Sequence, residues 1–294
     1  MDKPFGKLIR SDIFTFHIGA EKAPFAVHSV AIAAQSPALD ALVNSNMIEA
    51  HSRTVTWPDV DADTFVRFCE FCYLNDYSPP SCQQANDNDE RSEEIPDADR
   101  WSEPSDAQPE SQREPEFFGQ VVSSSKSKLK KRGKQAPVVQ PLLSEKDYPL
   151  PDCCVQLDER LTTFSNVSAD QDFTPVFLGH ARLYVVADKY GIQPLKDLVL
   201  YKLYKTLKNF TFFATRIRDI IELIRFAYHD DNTRGRVDGI DGLRKLVTDS
   251  VVYWSDCITG HDDFLELLQE GGEFITDFWK VVRKAASFPL REQE

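Results

Sequence analysis

The chain has 294 residues, 41% of them apolar, and a formal net charge of −13 with a pI near 5.0. That charge excludes a general attraction to nucleic acid or to anionic membrane. The length allows one large or two modest domains, and no apolar run is long enough to span a bilayer.

Met1-Asp2-Lys3-Pro4-Phe5-Gly6 lacks the apolar core of a secretion signal. The expectation is an intracellular protein, nuclear or cytoplasmic, whose six cysteines are reduced thiols. From Ser11 the pattern alternates. Ile13, Thr15 and His17 point one way and Phe14, Phe16 and Ile18 the other, which predicts a strand. Gly19 and Ala-Glu-Lys-Ala-Pro mark a turn, and Phe25 to His28 returns as the second arm of a hairpin. Val30 to Ala34 is rich in small apolar residues and suits a tightly packed helix. Ser36 before Pro37 gives the next helix a cap and a first-turn proline, and Leu39, Leu42 and Val43 follow at helical spacing. After Met47-Ile48-Glu49, Thr54 to Trp57 reads as a strand that Pro58 ends. Asp61 or Asp63 caps a helix whose face is Phe65, Phe68, Cys69 and Cys72.

These residues, in this order and spacing, resemble a BTB (POZ) domain. The features that carry the resemblance are Ser11-Asp12-Ile13, Gly19, Phe25-x-x-His28, Ser36-Pro37, Val55 to Val60, and Phe65 to Leu74 followed by Tyr77. The resemblance implies an α+β fold: a small sheet with a hairpin, surrounded by helices.

After Tyr77 the composition changes. Asp87 to Glu116 is dominated by Asp, Glu, Ser, Pro and Gln, and a basic block follows at 126–134. Such a stretch is too poor in apolar side chains to offset the entropy of ordering it, so residues 80–175 are expected to be a disordered acidic and basic insert. Order returns at Thr174-Pro175. Phe177, Ala181, Tyr184 and Val185 share a helical face, Gly191 ends that helix, and Leu195, Leu198, Val199 and Leu203 form the next. The string from Ala181 through Ala187 and Tyr190 to Leu195 resembles the last helical pair of BTB domains, in the form common in fungal members. The expected organisation is therefore a BTB domain in two pieces, 10–79 and 176–209, around the insert, with a helical region at 210–288. In that last region the stripes are Ile217, Ile220, Ile221 and Ile224; Leu243, Leu246, Val247, Val251 and Trp254; Phe264, Leu267 and Leu268; and Phe274, Phe278, Val281 and Val282.

Few residues suggest chemistry. Cys69-x-x-Cys72 lies inside an amphipathic helix with no second ligand pair at matching spacing, so it reads as core, and Cys153-Cys154 lie in the insert. The resemblance implies a structural, hydrogen-bonded His28. It also implies a charged pocket at Asp12, but the basic residue expected after the histidine is Ser29 here, so Asp12 is read as bonding local backbone. Met47-x-Glu49 resembles the element that BTB adaptors present to cullin scaffolds; an ordinary exposed turn is the alternative. Lys128, Lys130, Lys131, Arg132 and Lys134 of the basic block form a candidate nuclear signal or a plain solvated linker. No phosphate loop, dinucleotide fingerprint or zinc-protease helix occurs. The expected function is binding without catalysis, cofactor, metal, membrane or direct nucleic-acid contact. The partners weighed are a second copy of the chain, a cullin as in a ubiquitin-ligase adaptor, or a nuclear regulatory complex.

Overall fold

The first run alternates as expected. In a computed structural model, which describes residues 4–84, 143–154, 161–233, 235 and 239–286, strand β1 (Ile13–Ile18) buries Phe14, Phe16 and Ile18 and turns Ile13 outward. A short helix, α1 (Pro4–Ile9), precedes it. Strand β2 (Ala23–His28) returns antiparallel, with Ile13 opposite His28 and Ile18 opposite Ala23. Gly19, at φ +73°, opens the turn between them. Strand β3 (Thr54–Trp57) lies on the other side of β1 and runs parallel to it, Thr15 opposite Thr54. A parallel neighbour needs a long connection, and helices α2 (Ser29–Ala33), α3 (Pro37–Asn44) and α4 (Ile48–Ser52) supply it.

Helix α5 (Ala62–Leu74) starts at Asp61, whose carboxylate accepts from the Thr64 amide at 2.8 Å. Phe65, Phe68, Phe71 and Cys72 are buried, whereas Cys69 is only partly so. The expected face included Cys69 and omitted Phe71. The difference arises because α5 is covered on two sides, by α2 and by the later helix α6 (Thr174–Lys189). Phe16 lies 4.9 Å from Trp57 and 5.0 Å from Phe65, centroid to centroid, so sheet and helix share one aromatic core. Each such ring, fully buried, contributes about 1.5–3 kcal/mol before entropy is subtracted.

Helix α6 ends in a paired cap. The Ile192 amide donates to the Ala187 carbonyl at 2.8 Å and the Gly191 amide to the Asp188 carbonyl at 3.1 Å, with Gly191 at φ +67°. This left-handed cap turns the chain into α7 (Gln193–Asn209), where Leu195, Leu198, Val199 and Leu203 are fully buried, as their spacing predicts. In α6 the expected face is corrected. Val185 is only half-buried while Leu183 and Val186 are buried, because α6 packs against α5, α7 and α8 (Ile217–Tyr228) at once.

The expected insert is corrected at both ends. Strand β4 (Gln83–Gln84) pairs antiparallel with β5 (Gln171–Asp172). Leu143, Tyr148, Cys154 and Phe173 are buried. Tyr148 stacks 5.3 Å from Tyr204 of α7, and Asn166 exchanges two 2.7 Å hydrogen bonds with Thr211. Composition hid this because the few apolar residues of these arms gain burial only against helices far along the chain. The remainder of the expected insert, 85–142 and 155–160, lies outside the described residues.

After α8 come α9 (Gly242–Tyr253), α10 (Ser255–Ile258), α11 (Asp262–Glu270) and α12 (Glu273–Ala286). Their predicted stripes are buried or partly buried against one another. Asp219 of α8 accepts from the Phe173 amide at 2.9 Å and so caps α6 from another element. Burial raises its pKa; the Phe173 amide and Arg216 oppose that rise.

Candidate interaction surface

The Tyr77 side chain turns inward, where it meets residues that the sequence did not single out. Tyr77 and His180 are fully buried, and the phenol hydroxyl lies 2.7 Å from His180 Nδ1. Burial raises the phenol pKa well above normal, so the hydroxyl keeps its proton in this contact. Burial, aided by Lys202 and Arg67, pushes the His180 pKa down to about 3, which keeps the ring neutral. Lys202 sits beside this pair, with Nζ bound to Asp76, to the Tyr77 carbonyl at 2.6 Å and to the Leu161 carbonyl at 2.9 Å. The network is closed to solvent and joins the two pieces of the fold. Tyr190 does the same with apolar surface, stacking on Trp57 at 4.3 Å. Ala187 is buried and its carbonyl closes the cap described above.

Other residues make single polar contacts. His28 is half-buried and its Nδ1 lies 2.9 Å from the Tyr73 hydroxyl. The Ser36 hydroxyl accepts from the Leu39 amide at 3.2 Å. The Asp12 expectation is corrected: its carboxylate pairs with Arg53 at 2.7 Å instead of bonding local backbone. The cation missing at Ser29 is supplied from the parallel strand's approach, a neighbour that sequence order does not reveal. Both partners are largely exposed, so the pair contributes little to stability.

Burial pushes the Cys69 thiol up to about 12, with Glu70 adding to the rise, and burial raises Cys72 also, so both are inert core thiols. No group of three or more His, Cys, Asp or Glu that could hold a metal occurs among the described residues. A cleft of about 940 Å³ opens between the hairpin turn, α6 and the loop after α8. Its charges meet across it, Lys189 with Asp59 at 3.1 Å and Arg182 with Asp61 at 3.9 Å. Among the described residues that line it there is no histidine, cysteine or tyrosine.

The outward surface differs. Phe5, Ile9, Ile13 and Val30 are 43–63% exposed. Phe5 and Ile9 stand four apart on α1, one above the other. The Ser11 hydroxyl donates to the Leu8 carbonyl at 2.8 Å and accepts from the Val30 amide at 3.3 Å, pinning the end of α1 to the start of α2. The segments that carry the four apolar residues thus lie close together. The family model of the BTB/POZ domain matches residues 7–89. Residues 7–89 are a BTB/POZ domain. No curated protein matches the chain. A BTB domain is a protein–protein interaction module, and here a helical C-terminal region follows it.

On this BTB domain Met47 precedes α4 and is 54% exposed, while Ile48 is 83% exposed and Glu49, in the first turn, is half-buried. The site is therefore a one-turn helix start, not a plain turn. The basic block with Lys128, Lys130, Lys131, Arg132 and Lys134 lies outside the described residues. Sequence reasoning missed the α1 corner; the spacing of Phe5 and Ile9 in an otherwise polar lead was the available signal. Among the described residues no helix is long and apolar enough to cross a membrane.

Proposed function

We propose that this chain works by binding, not catalysis, and that its BTB domain pairs with a second copy through the corner formed by α1, the start of β1 and α2. The observation that carries this is the exposure of Phe5, Ile9, Ile13 and Val30, four large apolar residues on segments that the Ser11 hydroxyl ties together. Exposed apolar patches mark association surfaces. Analytical ultracentrifugation of the full chain tests it. Wild type should sediment as a dimer, and Phe5→Asp with Ile9→Asp should give a folded monomer. A wild-type monomer at tens of micromolar, roughly the range of weak but specific association, sinks the reading.

A second reading is favoured by the exposure of Met47 and Ile48 ahead of Glu49: the same domain serves as an adaptor for a cullin-type ubiquitin ligase, with the C-terminal helices holding the substrate. Binding of a purified cullin N-terminal region should fall when Met47 and Glu49 are both changed to Ala. Undiminished binding removes that face as the contact.

A further inference from the structure

Two thiols stand side by side in the arm that packs on α7 and α9. Cys153 and Cys154 occupy a short 3-10 turn, Asp152–Cys154, and their sulfurs are 3.4 Å apart. Their surroundings differ. Cys153 is exposed, whereas Cys154 is 3% exposed and feels the charges of Asp76 and Lys202. Burial pushes the Cys154 thiol up to about 12, with its bond to Cys153 adding to the rise. Reaction with a dissolved oxidant therefore begins at the accessible sulfur, Cys153.

We propose that Cys153 and Cys154 form a reversible vicinal disulfide in response to a hydroperoxide. The Cys153 thiolate attacks the peroxide O–O bond. An S–O bond forms, the O–O bond breaks, and the leaving oxygen takes a proton to become water or an alcohol. Cys153 is then a sulfenic acid. The Cys154 sulfur attacks the Cys153 sulfur; the S–S bond forms, the S–O bond breaks, and the Cys154 proton leaves with the hydroxide as water. Two thiols are oxidised by two electrons and one hydroperoxide is reduced.

The geometry also sets the lability of that bond. The sulfurs need close only from 3.4 Å to about 2.05 Å. Adjacent Cα atoms lie about 3.8 Å apart across a trans peptide, short of the roughly 4.4–6.8 Å usual for a disulfide. The closed ring is strained, and strained disulfides are readily reduced. This suits a bond that opens again when the oxidant is gone.

The test is peptide mapping of the reduced full chain after hydrogen peroxide. The tryptic peptide of residues 147–160 should lose the mass of two hydrogens, and dithiothreitol should restore it. Cys154→Ser should stop at a Cys153 sulfenic acid that dimedone captures, and Cys153→Ser should show neither product on this peptide. Phenylarsine oxide, which condenses with two close thiols and releases water, should add once to this peptide in the reduced wild type, a readout independent of any variant's folding. The proposal is overturned if dimedone traps Cys153 of wild type with no ring formed, if oxidation maps to other cysteines while 147–160 stays reduced, or if phenylarsine oxide leaves the peptide unmodified.

Discussion

Lys202 Nζ lies 2.5 Å from Asp76 Oδ1, and both side chains are almost wholly buried. Asp76 follows α5 and Lys202 belongs to α7, so the pair ties the end of the first piece of the fold to the second. Burial lowers the Lys202 pKa, and the hydrogen bond and charge of Asp76 oppose the fall. The ammonium also sits 4.4 Å from the centre of the Tyr77 ring.

Removing one partner of a buried pair leaves an uncompensated charge. Lys202→Met should therefore cost about 3–5 kcal/mol, and adding Asp76→Asn should recover most of it. Urea unfolding of the two variants measures both effects. Equal midpoints for wild type and Lys202→Met are the contrary result.

The neutral His180 makes stability depend on acidity. Its folded pKa, about 3, is below the ordinary value of 6.5, so the unfolded chain binds the extra proton between those values. Stability from this group is complete above pH 6.5 and declines as pH falls toward 3, by about 1.4 kcal/mol per unit within the window. Thermal unfolding between pH 7 and pH 5 should show the fall. His180→Gln should flatten it, and an unchanged slope in that variant places the dependence elsewhere.

Gly179 lies inside α6, where alanine ordinarily gains about 1 kcal/mol of helix propensity. A Cβ there would stand 2.6 Å from the buried Pro80 ring, a stiff neighbour. Overpacking of this kind costs about 1–3 kcal/mol. Gly179→Ala should lower the melting temperature, whereas Gly191→Ala should lower it through the φ of +67° alone. A Gly179→Ala protein more stable than wild type would show that α6 and Pro80 can separate.

Excision separates the parts of the insert. Replacing residues 86–138 with a Gly/Ser linker of about ten residues should leave a folded protein, gaining at most about 1–2 kcal/mol from the shorter loop. Replacing 82–172 instead removes Tyr148 and Cys154 from the core and should destabilise strongly. Circular dichroism melts of the two deletions decide, and equal melting temperatures are the result that contradicts the arm's role.

The basic block is expected to govern location and not folding, since it lies among no apolar pattern. Lys130, Lys131 and Arg132 changed to Ala should leave the melt unchanged and shift a fluorescent fusion out of the nucleus. An identical distribution removes the nuclear-signal idea.

Local signals were legible in the sequence because their causes are local. The alternation of Phe14, Phe16 and Ile18, the Ser36 cap, the Asp61 cap and the Gly191 turn each depend on residues within a few positions, and all are present. So are the apolar stripes of α7, α8 and α9. Tertiary structure alone decided what meets what. It set β3 parallel to β1, brought Arg53 to Asp12, stacked Tyr190 on Trp57 and placed Asp219 at the start of α6. It also gave the insert's arms their order, because Tyr148 and Phe173 are worth burying only where Tyr204 and Phe210 wait for them. Burial energy depends on the surface a side chain finds, and a sequence records the side chain but not that surface.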